Sequence, residues 1–121
     1  LSYTSFRFSD LQLDKARIKP TENVTVSFSV ENTGKRDGDE VAQLYIRDVA
    51  ASVTRPVREL KGFERVTLKA GEKRRVSFVL KPEHFGFLDG NMKFNVEAGE
   101  FQVFVNGGNG SGLESKFEVV R

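Results

Sequence analysis

Asn23-Val24-Thr25-Val26-Ser27-Phe28-Ser29-Val30-Glu31 decides the fold class. Val24, Val26, Phe28 and Val30 alternate with Thr25, Ser27, Ser29 and Glu31. A period of two puts the four apolar side chains on one face of a strand and the polar ones on the other. The strand ends at Asn32-Thr33-Gly34, and the turn-rich Lys35-Arg36-Asp37-Gly38 follows.

The same alternation recurs outward from this segment. Glu40–Asp48 turns Ala42, Leu44 and Ile46 inward, and its other face, Val41, Gln43, Tyr45 and Arg47, carries large side chains that call for a cover. Arg75–Lys81 turns Val76, Phe78 and Leu80 inward, Glu100–Asn106 turns Phe101, Val103 and Val105, and Glu114–Val120 turns Phe117 and Val119. Weaker strand candidates are Tyr3–Phe8, Leu11–Ile18, Leu60–Leu68 and Lys93–Val96. Composition agrees: 15 Val, 11 Phe and 6 Thr stand against 6 Ala and 1 Met, a balance that suits a pleated surface better than a helix.

Turn signals separate the strands at Lys19-Pro20-Thr21, Ala70-Gly71-Glu72, Asp89-Gly90-Asn91, Ala98-Gly99 and Gly107–Gly112. About 7–8 short antiparallel strands at this spacing describe an all-β, immunoglobulin-like β-sandwich with Greek-key connections. The single helical turn expected is Pro82-Glu83-His84-Phe85, with Pro at its start. No helix is long enough for a βαβ unit, which removes the doubly wound and barrel classes. Val49–Glu59 fits neither strand nor tight turn, so a long connection is expected there, a place where function often resides.

At 121 residues and 13.6 kDa the chain is one domain in size. Its 19 basic and 17 acidic residues leave +2, interspersed, which is no nucleic-acid footprint. No apolar run reaches the roughly 18 residues that would span a bilayer as a helix. Zero cysteines exclude disulfides, thiolate metal sites and a cysteine nucleophile.

Candidate chemistry is thin. His84 has no cysteine or second histidine to share a metal with, and no serine elbow to activate. Flanked by Phe85 and Phe87, it reads as a structural residue at a turn. Asp37-Gly38-Asp39-Glu40 reads as a polar hairpin loop rather than a calcium site. Gly107-Gly108-Asn109-Gly110-Ser111-Gly112 lacks the lysine and helix of a phosphate loop and reads as a hairpin. No acidic pair stands out as a glycosidase pair. Ser52–Phe63 is different: Arg55 and Arg58 flank Pro56 and Val57, and the segment ends in Gly62-Phe63. Arginine and aromatic side chains are what interfaces favour, and a covered edge with a local ion pair accounts for the segment equally well.

Several segments in order carry a resemblance: Val30–Gly34, Gly38–Asp48, Arg55–Phe63, Leu68–Glu72 and Val96–Phe101. Together they resemble the fibronectin type III-like domain at the C-terminus of glycoside hydrolase family 3 enzymes, the β-glucosidases and β-xylosidases. The resemblance runs from Leu1 to about Val120. It implies one domain over 1–121, excised from a larger glycosidase, with 1–8 as the end of an interdomain linker. Leu88 and Phe94 depart from it, standing where many members carry an aromatic residue and a tryptophan.

The resemblance implies an accessory, non-catalytic domain that packs against and stabilises the catalytic domains of the same polypeptide, with loops near the substrate cleft. The family's catalytic carboxylates lie in other domains, so no catalytic residue, metal or cofactor is expected here. The interdomain candidates are Tyr3, Thr4 and Phe6, the face bearing Gln43 and Tyr45, and Arg55, Arg58 and Phe63. A secreted or periplasmic location follows from the same resemblance. The alternative is a stand-alone carbohydrate-binding or adhesion module with oligosaccharide as partner. Sugar platforms present exposed aromatic rings. With no Trp and 2 Tyr, this chain offers chiefly Phe104, expected outward beside Gln102 and Asn106.

Overall fold

The computed structural model describes residues 4–49, 58–88, 90–108 and 112–120, without the side chains of 87 and 88. Tyr3, Arg55 and most of the connection after Asp48 lie outside the described residues, as do the side chain of Leu88 and the tip of the glycine-rich hairpin.

Two sheets pack face to face. One has the order β1 (Phe6–Leu13), β3 (Val24–Asn32), β6 (Lys73–Leu80). The other has the order β2 (Arg17–Ile18), β10 (Gly112–Val119), β9 (Gly99–Asn106), β4 (Gly38–Asp48), β5 (Glu59–Leu68). A short ribbon pairs β7 (Phe87–Leu88) with β8 (Phe94–Asn95) after the single helical turn α1 (Pro82–Phe85). The all-β sandwich expected from the alternation is what forms, and its two main sheets hold eight strands among the described residues.

One pairing departs from the expected antiparallel set: β2 runs parallel to β10. The stretch Leu11–Ile18, expected as one strand, is split. Asp14 N–H donates to the Thr25 carbonyl at 3.1 Å, and Thr25 N–H donates to the Asp14 carboxylate at 2.8 Å. That exchange ends β1 on its own sheet, and the chain then crosses to the far edge of the other, where Ile18 is buried. Hydrophobic period alone cannot announce a change of sheet, because both sheets bury the same face against one core.

Each inward row predicted from the sequence fills the space between the sheets, with Val24, Val26, Phe28, Val30, Ala42, Leu44, Ile46, Val76, Leu80, Phe101, Val103 and Val105 all buried. At one end the Phe28 ring stacks between Phe8 and Phe78, with centroids 5.7 and 6.0 Å away. At the other, Phe85 from α1 meets Phe101 and Phe117, each at 5.6 Å. His84 is structural, its Nδ1 accepting the Lys81 N–H at 2.8 Å and closing the helical turn that delivers Phe85. Phe6 and Phe8, placed by the resemblance at the end of a linker, lie in β1 with both rings buried.

Asn32 ties the upper rim together. Fully buried, it donates to the carbonyls of Arg36 at 2.8 Å and Leu68 at 3.1 Å. Its side-chain oxygen accepts from Gly34 N–H at 2.9 Å and from the Thr4 hydroxyl. A buried amide with every hydrogen-bonding direction used fixes geometry as well as stability.

Candidate functional site

The strongest candidate is the outer face of the five-stranded sheet. It is built by the strands whose inner rows form the core, so its outward side chains sit at fixed register positions. Across β5, β4 and β9, Phe63 lies opposite Gln43 and then Asn106, Leu60 opposite Tyr45 and then Phe104, and Arg47 opposite Gln102. A β-bulge between Leu44 and Tyr45 shifts β5 by one residue and brings Leu60 to the Tyr45 position.

This face is apolar and cationic. Phe63 is 69% exposed and Leu60 50%, large values for side chains of that size. Tyr45 is half-buried, and its hydroxyl donates to Gln43 Oε1 at 2.7 Å, which orients both groups. Phe104 is only 4% exposed although it points away from the inter-sheet core. The guanidinium carbon of Arg58 lies 3.7 Å from its ring centroid, a stacked cation–π contact worth roughly 0.5–2 kcal/mol depending on desolvation. The expectation of an open Phe104 platform is therefore corrected: the ring faces outward but is covered, so no sugar can stack on it as it stands.

Polar groups here are incompletely matched. Arg47 Nε and Gln102 Oε1 are buried with no hydrogen-bond partner among the described residues. Toward the strand's start the charges are paired, with Arg65 donating to Asp39. The Thr67 hydroxyl and then the Arg65 guanidinium hold the Asp39 carboxyl below its ordinary range.

Of the residues singled out from the sequence, Gln43, Tyr45, Arg58 and Phe63 come together on this face. Phe6 does not; its ring is buried in the other sheet, against Gly38, where a β-carbon would meet the Thr4 methyl at 2.5 Å. Thr4 belongs to the Asn32 rim. Arg47 and Gln102, read from the sequence as outward but not as interface residues, complete the face together with Leu60. Their signal was the oversized outward row of β4, which showed that a cover was needed but not which strands flank it.

The acidic loop Asp37–Glu40 sends its carboxylates to different places. Asp37 accepts from Ala70 N–H at 3.1 Å, Asp39 pairs with Arg65, and Glu40 accepts from Gly108 N–H at 2.8 Å and Val41 N–H at 2.9 Å. Among the described residues no group of three His, Cys, Asp or Glu side chains could hold a metal ion.

With the two-sheet architecture in place, comparison with known proteins is decisive. The fibronectin type III-like domain model matches residues 40–109. The chain belongs to that family. This fibronectin type III-like domain is 43% identical over 120 residues to a periplasmic β-glucosidase of Salmonella typhimurium, covering 99% of this chain and 16% of that protein. It is 47% identical over 105 residues to a β-xylosidase of Formosa agariphila, covering 87% of this chain and 14% of that protein. The solved β-glucosidase of Erythrobacter marinus superposes with a TM-score of 0.90 at 43% identity, over 99% of this chain and 16% of that one. The domain thus spans about one sixth of these relatives. The matching stretch is a small part of proteins named β-glucosidase or β-xylosidase. No helix among its described residues is long and apolar enough to cross a membrane.

Proposed function

We propose that the chain is an accessory domain of a β-glucosidase-type polypeptide, packing against the catalytic domains and stabilising them without taking part in bond cleavage. The observation that carries this reading is the outer face of the five-stranded sheet, where Phe63 and Leu60 stand exposed beside half-buried Tyr45 and Gln43. Exposed apolar side chains gathered on one face of a small domain mark a contact surface. Gln43, Tyr45, Arg58 and Phe63 are its interface residues, with Leu60, Arg47 and Gln102 added by their register. The chain is then one part of a longer polypeptide, secreted or periplasmic, a location supported by the Salmonella relative named a periplasmic β-glucosidase. A stand-alone sugar-binding module is disfavoured by Arg58 covering the ring best placed to stack on a sugar.

The test compares the polypeptide carrying this chain with a version lacking residues 1–121, by thermal unfolding and by turnover of a chromogenic β-glucoside. The shortened form is expected to melt several degrees lower and to lose most turnover, while residues 1–121 alone hydrolyse nothing. Unchanged melting and turnover after the deletion, or hydrolysis by the isolated chain, overturns the proposal.

A further inference from the structure

Arg47 and Arg58 share the interface face, and neither has an acidic partner among the described residues. The register pairs Glu59 with Ile46, so one step further Arg58 falls opposite Arg47. Both guanidiniums serve the outer face, Arg47 opposite Gln102 and Arg58 over the Phe104 ring. Like charges placed opposite each other across two strands repel. Neither forms an ion pair among the described residues, although eight other ion pairs do form there.

The nearby acids do not answer them. Glu59 pairs with Lys61 at 2.8 Å, and Asp39 with Arg65. Glu114, opposite Phe104 on β10, makes no ion pair among the described residues. Asp48 follows Arg47 in β4 and so points to the opposite side of the sheet. The connecting segment 50–57, Ala-Ala-Ser-Val-Thr-Arg-Pro-Val, holds no acid and adds a third cation in Arg55. One guanidinium already lies over an aromatic ring, its carbon 3.7 Å from the centroid, a contact that restricts where its donors can point.

We propose that this arginine pair is the receptor for a carboxylate side chain presented by the catalytic part of the same polypeptide, with Phe63 and Leu60 as the apolar contacts beside it. The inference rests on the accessory-domain reading and specifies its partner. The occupant is argued from charge complementarity and from the chain's share of its relatives, 16% of the Salmonella protein. The remaining five sixths of such a polypeptide is tethered nearby, at an effective concentration that short linkers raise to about millimolar. A carboxylate between two arginines removes their repulsion and takes a bidentate bond from the stacked Arg58.

The test uses the full polypeptide carrying this chain. Arg47→Glu and Arg58→Glu are each expected to lower its melting temperature by at least about 3 °C in low salt, a shift readily resolved for domains of this size. Arg58→Gln, which keeps the side-chain length without charge, is expected to give a smaller drop. Lys73→Glu, an exposed charge reversal on the other sheet, is expected to change little. In 1 M salt, where the screening length falls to about 3 Å, the arginine effects are expected to shrink by half or more. Arg58→Lys is expected to recover only part of the loss, because an ammonium lacks the planar fork. If the arginine variants shift melting no more than Lys73→Glu while deletion of the chain still lowers it, the carboxylate receptor is overturned and the accessory role stands. If deletion itself has no effect, both fall.

Discussion

The two outer faces of this sandwich follow the same alternation and end in opposite states. On the three-stranded sheet many outward positions are small or paired, Val79 being an exposed exception. Ser27 and Ser77 share a hydrogen bond of 3.0 Å across β3 and β6, and Arg7 meets Glu31 at 2.7 Å. Arg75 reaches across to the Asp10 carbonyl and carboxylate, Ser29 Oγ and Gln12 Oε1, all within 3.1 Å. That grip also holds the β1 irregularity, where Asp10 has φ of 56°, a left-handed conformation a short polar side chain tolerates. On the five-stranded sheet the outward positions are large: Phe104 covered by Arg58, Tyr45 half-buried, Phe63 and Leu60 open. Polar-out alternation guarantees a face away from the core; it does not decide whether that face is made for water or for another surface.

The largest effect that would sharpen this contrast is truncation of Phe104. Phe104→Ala is expected to cost the isolated chain about 3 kcal/mol in urea unfolding, at the low end for a buried phenylalanine. Ser27→Ala at the centre of the other outer face should cost under about 0.5 kcal/mol. Near-equal losses would mean that the ring contributes no more than a solvated residue. Next in size, Arg75→Ala is expected to cost about 1–2 kcal/mol, since it removes charge-assisted bonds from a side chain that is still 37% exposed. A neutral result there would show the three-stranded face held by backbone pairing alone.

A smaller stability effect but a clear surface effect is expected from Leu60→Ser combined with Phe63→Ser. Unfolding free energy should move by less than about 0.5 kcal/mol per site, while binding of a hydrophobic dye to the isolated chain falls. Val79→Ser on the opposite sheet, where one apolar side chain stands 46% exposed, should leave dye binding nearly unchanged. Equal loss of dye binding from both would erase the distinction between the faces.

The smallest effect is a pH slope at the edge of the five-stranded face. Asp39 is held below its ordinary range by Thr67 and Arg65, so folding favours its ionised form. That contribution is present above the unfolded pKa and is lost as pH falls through the lower folded value. Asp39→Asn should therefore lower stability slightly near neutrality, where the contribution is present, and flatten the pH slope below about pH 4, where it is lost. A steeper acid slope in the variant would reverse the sign of the Asp39 contribution.

Much of the fold was legible because burial has a period. Val24, Val26, Phe28 and Val30 announce their inner face by alternation alone, and Pro82 with Phe85 announces the helical turn. The candidate face was half legible. Gln43, Tyr45, Arg58 and Phe63 stood out by residue type, but the partners that make them a surface come from β5 and β9, and register across strands is not written in any one of them.

By itself the sequence determined the all-β class, the inward rows of the main strands, the structural part played by His84 and the family resemblance. Those properties depend on neighbours along the chain, where spacing is fixed by backbone geometry. Tertiary structure decided what depends on neighbours across it. Asn32 is one of several turn asparagines until four groups from three segments converge on its amide. Phe104 is an outward ring until Arg58 lies over it. Arg47 and Arg58, eleven positions apart in the chain, become a cationic couple with no ion pair among the described residues only when β4 and β5 lie side by side. Long-range contacts of this kind arise from which strands pair and in what register, and a one-residue bulge is enough to change them.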